Sequence, residues 1–526
     1  MNAFGQMSLK VPRFAPPVRQ AGSPPENITE FLSSLSPMFW GALVVWLTAI
    51  FAVVKFNDSR LPPGPDGAST ELRTASPSVV FSRWYKQYGA IFSFKLGTKT
   101  VVVGKTQAQL DLISHEILSG GMRGLSMPYG EHWRKWRKIQ HVGMNGRAVH
   151  AYRDHQSLES TVVLRDLMAD AAQQTASLRR FATSVVLGIC YGRRVTDLED
   201  EMVKVNYESL AALSSSLPGK YAVETYPFLL RLPRRFQTFL PPLEALRAKD
   251  TATYTSFFRA AKERIEAGTS KDCMASYCVT EKGSQGLSEV EISYALSAPF
   301  GAGVDTTLSS IQWGIIAALL FPSIAKKVQD ELDTVVGRSR LPTFEDEKHL
   351  PYLNAFIKEY IRYWPVVPVA VPHATTRADR YGHYEIPAGA TVYGNIDAIV
   401  KDPELFENPR EFRPERFLQQ GPEKLPPHLA DFNISFGFGR RVCPGMHVAL
   451  QSNFIVLARL LWAFDILPAD DGVLPKGNEF ANQGLTRGPA PFNFKVHPRH
   501  SDVVRIVEAE GSDADVRLKE WEYALA

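Results

Sequence analysis

One cysteine is set in a loop that few chains would make by accident. Residues 436–445 read Phe-Gly-Phe-Gly-Arg-Arg-Val-Cys-Pro-Gly, with Cys443 among glycines at 437, 439 and 445. Glycine permits tight turns and lets the backbone approach a flat ligand closely. Backbone N–H groups of such a loop can point at the sulfur, and the positive charge of Arg440 and Arg441 favours the ionised thiol. A thiolate held in this way is a candidate ligand for iron. The alternative, a buried inert cysteine in a glycine-rich loop, is the ordinary reading for a cysteine with no further pattern around it.

At 526 residues, 45% of them apolar, the chain can bury a large core. With 59 basic against 55 acidic residues the net charge is only +4, which argues against a dedicated nucleic-acid binder. Cys190, Cys273, Cys278 and Cys443 are too few and too scattered for a disulfide scaffold, and Cys273 and Cys278 lack the second pair that a zinc site needs. A reducing, cytosol-facing compartment follows.

Residues 1–35 are rich in Pro, Ser and Gly and are expected to be disordered. Between 31 and 54 no charged residue occurs, which predicts a transmembrane anchor over 36–56 rather than a cleaved signal peptide. Basic residues flank both ends (Arg19 before, Lys55 and Arg60 after), so charge alone leaves the orientation open. Leu61-Pro-Pro-Gly-Pro65 lies in a stiff hinge over 57–67, and one globular domain is expected over 68–526. Residues 91–96 and 100–103 read as two strands joined by Gly97. From about 111 to 336 the pattern is helical, including one long run over 289–320. A helix beyond Lys348, short strands around 390–394 and a last long helix over 448–464 follow; the final twenty or so residues, polar and acidic, read as a surface tail.

The cysteine loop matches Phe-x-x-Gly-x-Arg-x-Cys-x-Gly through Phe436, Gly439, Arg441, Cys443 and Gly445. Before it stand Trp133-Arg-Lys-Trp-Arg137, Ala302-Gly-Val-Asp-Thr-Thr307, Glu359-Tyr-Ile-Arg362 and Phe412-Arg-Pro-Glu-Arg-Phe417, in that order. In these motifs, and over roughly residues 61–500, the chain resembles the cytochrome P450 family, the haem-thiolate monooxygenases. The resemblance implies the mainly α cytochrome P450 fold with a minor β-sheet, and haem b with Cys443 as the axial thiolate on iron. It places Phe436, Gly437, Arg441 and Gly445 in the cofactor pocket.

The two propionates of a haem need cationic or N–H partners, and Trp133 and Arg137 share one helix face and could serve. By resemblance Arg441 and His373 are further propionate contacts. Arg134, Lys135 and Lys138 face elsewhere and offer an electropositive patch to an acidic redox partner. Gly303 in mid-helix costs about 1 kcal/mol relative to alanine, and a small residue there leaves room for a diatomic ligand above the metal. Asp305 and Thr306 supply a carboxylate and a hydroxyl for relaying protons. Glu359 and Arg362 meet on one helix face; alone such a pair says little, but the resemblance adds Arg416 and implies a buried set that braces the cysteine loop.

The implied activity inserts one atom of O2 into an apolar organic substrate. No glycine-rich dinucleotide fingerprint follows a strand, so electrons come from another protein; by resemblance that is NADPH-cytochrome P450 reductase, with cytochrome b5 as a second donor. The resemblance also implies single-pass residence in the endoplasmic reticulum membrane, a cytosolic catalytic body, and a segment over 217–242 that dips into the bilayer. Asn27-Ile-Thr would then be a glycan acceptor. The wording of the cysteine loop is similar to fungal members of specialised metabolism, whose substrates are terpenoids, polyketides or alkaloids. Three departures stand out: 66–80 and 110–122 are short, the latter lacking a segment that lines the substrate pocket, and Asp397 stands where similar relatives carry Trp. They leave open a haem-binding protein made inactive by the short 110–122 region. A haem-thiolate isomerase or dehydratase is a third class, against which the Asp305–Thr306 pair argues.

Overall fold

The computed structural model describes residues 38–40, 44–46, 61–65, 77–89, 91–96, 99–104, 117–215, 223, 227–418, 425, 429, 431–483 and 485–523. The chain divides into two compact units, Met1–Leu61 and Pro62–Ala526. In the first unit, residues 38–40 and 44–46 are helical. The rest of the expected anchor over 36–56, the amino-terminal stretch 1–35 with Asn27, and much of the short 66–80 and 110–122 regions lie outside the described residues.

The second unit is mainly helical. Helix α1 (Pro77–Tyr88) packs beside the antiparallel strands β1 (Phe92–Leu96) and β2 (Lys99–Gly104), the two strands that the sequence predicts. Helices α2 (Glu131–Met144), α3 (Arg153–Ala169), α4 (Gln174–Tyr191), α5 (Glu201–Ser215) and α6 (Leu240–Glu266) follow. Helix α7 (Glu289–Leu320) spans the run expected over 289–320, and Pro299 lies within it. Its start is set by Ser288, whose hydroxyl accepts the Glu291 N–H while the Glu291 carboxylate accepts the Ser288 N–H. A helix apolar on all sides belongs inside, and α7 packs against α2, α4, α6 and α11 (Met446–Ala463).

Helices α8 (Pro322–Val335) and α9 (Pro351–Tyr363) lead to β3 (His373–Ala374), β4 (Asp379–Tyr381), β5 (Tyr384–Ile386), β6 (Thr391–Gly394) and α10 (Ile396–Ile399). One sheet runs in the order β1-β2-β6-β3, with β2 and β6 parallel. After α11 come β7 (Phe464–Pro468), β8 (Phe480–Gln483), β9 (Thr486–Pro489) and β10 (Phe494–Pro498), where β7 pairs β10 and β8 pairs β9. Among the described residues one helix is long and apolar enough to cross a membrane; it is α11, most of which is buried in the core.

The carboxyl-terminal residues are not a surface tail. They form α12 (Asp502–Leu518) and a further turn, Lys519–Trp521. The acidic composition hides a helical stripe: Val503, Ile506, Val507, Ala514 and Leu518 are buried at helical spacing. This stripe lies on α3.

Three buried carboxylates join distant parts of the chain. Glu359 receives both Nε (2.8 Å) and Nη2 (2.8 Å) of Arg362, Nε of Arg416 (3.2 Å) and the Arg413 N–H (2.7 Å). All three expected side chains are fully buried, and Arg362 also donates to the carbonyls of Val400 and Pro409. The set thus holds the 400–417 loop directly, while Ser435 ties the cysteine loop to α9 through the Ile361 carbonyl at 3.2 Å. Asp397 is buried and takes Arg487 Nη2 (2.6 Å) and Lys401 Nζ (2.7 Å). Glu159 of α3 accepts from Arg180 (2.5 Å), Arg194 (2.8 Å) and Ser184 (2.6 Å).

Two expectations follow from this burial. Glu359→Gln leaves two guanidiniums buried beside a neutral amide and should lower the free energy of unfolding by about 3–5 kcal/mol in urea titrations, with Glu359→Asp intermediate. Next to Glu159, buried His155 keeps Nδ1 unpartnered, and burial pushes its imidazole below the ordinary value despite the opposing Glu159 charge. Its folded value therefore lies under the unfolded one. The associated stability is whole above about pH 6.5 and is lost as pH falls below that toward the folded value. His155→Gln should flatten the fall in stability between about pH 7 and about pH 5 in the same titrations.

Candidate active site

The cysteine loop is shaped by its glycines, though not by all three. Gly437 (φ +83°) and Gly439 (φ +57°) adopt left-handed backbone that favours glycine, whereas Gly445 (φ −84°) does not. The Cys443 N–H donates to the Phe436 carbonyl at 2.8 Å and closes the loop. Helix α11 begins three residues after the cysteine, at Met446. Cys443 is exposed. Cys190, Cys273 and Cys278, by contrast, are buried.

Burial pushes the Cys443 thiol above its usual value; the N–H of Gly445, the charge of Arg137 and the N–H of Met446 work against that rise. Positive charge from Arg440 and Arg441 was the expectation, and the structure corrects it. Arg440 lies over the Tyr129 ring at 4.3 Å. Arg441 turns to the backbone before α2, donating to the carbonyls of Gly124 (3.2 Å) and Met127 (2.7 Å). The guanidinium that acts on the sulfur is that of Arg137, which also donates to the Val442 carbonyl at 2.6 Å.

Arg137, Arg440 and Arg441 bring three cations about this loop, with His373 beside them. Arg441 is pushed down to about 10, first by burial and then by Arg137 and Arg440. His373 on β3 is pushed down to about 4 by burial and by Arg441, so it is neutral near pH 7. Neither Arg137 nor Arg441 meets a carboxylate among the described residues. Half-buried guanidiniums that repel one another beside a neutral imidazole suit an anionic ligand, and two carboxylates on one flat group fit that need. Trp133 is buried, and the Arg441 guanidinium lies over its ring at 4.2 Å. Trp136, which sequence reasoning passed over, has a buried, unpartnered indole N–H in the same helix. Its ring packs on Gly124, where a Cβ would come within 2.3 Å.

Helix α7 is buried over most of its length but opens in its middle. Ala302 is exposed, and Gly301, Gly303, Asp305 and Thr306 are half-buried. The Thr306 hydroxyl donates to the Ala302 carbonyl at 2.7 Å. Asp305 turns the other way and pairs with Arg179 of α4 at 3.5 Å, beside Tyr207 of α5. Arg179 carries no sequence signal; a lone arginine in a helix is ordinary. Gly303 differs from expectation as well, because a Cβ there would meet Val186 Cγ2 at 2.8 Å. It is a close-packing glycine against α4, and the room it leaves is filled by valine.

The structure therefore gathers Cys443, Phe436, Gly437, Gly445, Arg137, Arg441, Trp133 and His373 about one loop. Asp305 and Thr306 lie on α7, which packs on α2 and α11. The sequence model of the family described as "Cytochrome P450" matches residues 67–496. The chain belongs to the cytochrome P450 family. A cytochrome P450 monooxygenase of Armillaria gallica is 33% identical over 502 residues, covering 90% of this chain and 98% of that protein. Cytochrome P450 monooxygenase 113 of Postia placenta is 35% identical over 477 residues, covering 86% and 94%. A zebra fish cytochrome P450 structure with progesterone shares the fold, with a TM-score of 0.66 at 22% identity over 81% of this chain and all of that one. Cytochromes P450 use haem, with an iron centre and a thiolate ligand, and the donor set about Cys443 fits that group.

Packing at Gly303 is testable in this P450. Gly303→Ala gains helix propensity yet should destabilise by about 1 kcal/mol through overpacking. A double-mutant cycle with Val186→Ala should return a favourable coupling in urea titrations, while carbon monoxide affinity stays unchanged.

Proposed function

We propose that this P450 is a haem-thiolate monooxygenase in which Cys443 would ligate the haem iron through its thiolate. One observation carries the assignment: an exposed sulfur in a loop closed by the Cys443 N–H on the Phe436 carbonyl, with the Arg137 guanidinium held on the neighbouring Val442 carbonyl. Bound haem supplies the oxidising chemistry, by which one atom of dioxygen enters an apolar organic substrate and the other leaves as water. Arg137, Arg441, His373 and the indole of Trp133 hold the propionates, with His373 acting as a neutral donor. Phe436, Gly437 and Gly445 shape the backbone around the sulfur.

Thr306 holds a proton at Oγ1 and keeps lone pairs free to accept another hydrogen bond while donating to Ala302. Asp305, tethered to Arg179, brings protons from the α4–α5 side. An operative pocket wall, rather than a spoiled one, is favoured by the seating of the short 110–122 region at its end. Ile117 and Leu118 pack with Leu240 and Leu243, and Arg123 forms a partly buried ion pair with Asp250 at 2.7 Å.

Electrons come from NADPH through cytochrome P450 reductase, with cytochrome b5 as a second donor. Exposed Arg134, Lys138 and Arg440 around the half-exposed Leu125 and Tyr129 make a basic surface with an apolar centre, suited to an acidic partner. The catalytic domain over 68–526 is carried on a hinge over 57–67 and an anchor over 36–56 in the endoplasmic reticulum membrane. Exposed Leu232 and Phe236 among Arg231, Arg234 and Arg235 suit contact with that membrane's surface. A terpenoid, polyketide or alkaloid substrate of specialised metabolism is our reading of the cysteine loop, whose wording Arg440-Arg-Val-Cys-Pro-Gly445 is similar to that of fungal family members.

The deciding experiment is Cys443→Ala. The reduced carbon monoxide adduct of the parent should show the red-shifted Soret band of a thiolate haem, and the variant should lack it together with NADPH-dependent turnover. An unaltered band in the variant would remove the assignment.

A further inference from the structure

Helix α12 lies beyond residue 496, where the match to the family's sequence model ends. It covers one face of α3, and the residues that meet it fall on a single stripe. The His155 ring lies tilted on Trp521 with ring centroids 4.2 Å apart, and Leu158 and Val162 pack with Ala514, Leu518 and Trp521. Arg165 makes a bidentate pair with Asp515 (2.5 and 3.0 Å) and lies against Gly511, where a Cβ would meet its Cδ at 3.3 Å. The far end is tied as closely. The Arg194 N–H donates to the Trp521 carbonyl (2.7 Å), Arg193 Nε donates to the Tyr523 carbonyl (2.9 Å), and the Tyr523 hydroxyl donates to the Tyr191 carbonyl (2.9 Å). Arg194 in turn bridges Glu522 (2.7 Å) to the buried Glu159 (2.8 Å).

The other face of α3 belongs to α11. Gln156 Nε2 donates to the Val448 carbonyl (3.4 Å) and to Ser452 (3.0 Å), both near the start of α11. Arg459 of α11 donates to the Ser157 carbonyl (2.5 Å), Ser160 (3.0 Å) and Thr161 (2.7 Å). A single helix therefore separates the carboxyl-terminal strap from the helix that starts three residues after Cys443. Residues on the 155/158/162/165 stripe serve the strap, and residues 156, 157, 160 and 161 serve α11. In a close-packed interior, displacing one layer moves the next.

We propose that residues 502–523 brace the cysteine pocket, with Trp521 and Asp515 as positioning residues. They press α3 onto the first turns of α11 and so fix where the Cys443 sulfur sits. This rests on Cys443 being the haem ligand. Loosening the strap lets the first turn of α11 shift, and thiolate ligation weakens before the fold as a whole is lost.

The test compares two variants of the full-length haem protein. Trp521→Ala loosens the strap; Phe81→Ala removes a similar buried aromatic from the separate cluster of α1, β1 and β2. Both are titrated with urea, following the unfolded fraction by circular dichroism and haem ligation by the reduced carbon monoxide spectrum. At equal unfolded fraction, Trp521→Ala should show a several-fold larger share of the shorter-wavelength, thiol-ligated band, and so should Asp515→Asn to a smaller extent. Exchanging the charges in Arg165→Asp/Asp515→Arg should restore the parent share. Equal shares in the strap and control variants would overturn the proposal. If Trp521→Ala does not fold, Asp515→Asn takes its place with the same two outcomes. A parent that itself lacks the thiolate band refutes the Cys443 assignment, whereas a parent band that both variants keep equally refutes only the brace.

Discussion

The proposed chemistry turns on one sulfur, that of Cys443, which would have to carry negative charge against the pull of its surroundings toward the neutral thiol. Burial alone drives the Cys443 thiol toward its neutral form. Two backbone N–H groups and one guanidinium offset part of that, and they come from different places: Gly445 and Met446 from the turn into α11, Arg137 from α2. A bound metal cation would complete the balance, because ligation and deprotonation of a thiol are one coupled event. The protein's task is to keep α2, α11 and the loop between them in one arrangement.

It does so with charge as much as with apolar packing. Glu159, Glu359 and Asp397 are each buried and each take two cationic side chains, drawn from segments far apart in the chain. Such pairs add little net stability, because removing the ions from water offsets their attraction. Their geometry is demanding, however, and a misplaced segment would leave a buried charge unmatched. The Glu359 set fixes the approach to the cysteine loop, and the Asp397 set joins α10 to β9. The Glu159 set joins α3 and α4 to the carboxyl-terminal strap. Asp397 is thus matched within this chain: the lysine four residues on and an arginine on β9 supply what a carboxylate in that place requires.

Much of this was legible beforehand. The extent of α7 follows from the long helical pattern over 289–320, a local property of the sequence. The first hairpin follows from an alternating run that carries Phe92 and Phe94 and a β-branched run over 100–103, and the Glu359–Arg362 pair from helical spacing. The roles of Arg441 and Gly303 were not legible in the same way. Neighbours in sequence need not be neighbours in space: Arg441, two residues from the cysteine, turns to Gly124 and Met127, while Arg137 reaches Val442 across the fold. Gly303 is explained by Val186 on another helix. Helix α12 was hidden for a different reason, since its acidic outer face dominates the composition and only the spacing of Val503, Ile506, Val507, Ala514 and Leu518 reveals the inner one.

The sequence by itself determined the cysteine loop, the order of the motifs and the long central helix, because each depends on residues within a few turns of one another. Only the tertiary structure decided which cation faces the sulfur, what fills the space at Gly303, and that the end of the chain packs behind α3. Those outcomes depend on which side of one helix meets which side of another, and the crossing of two helices is set by the packing of the whole core.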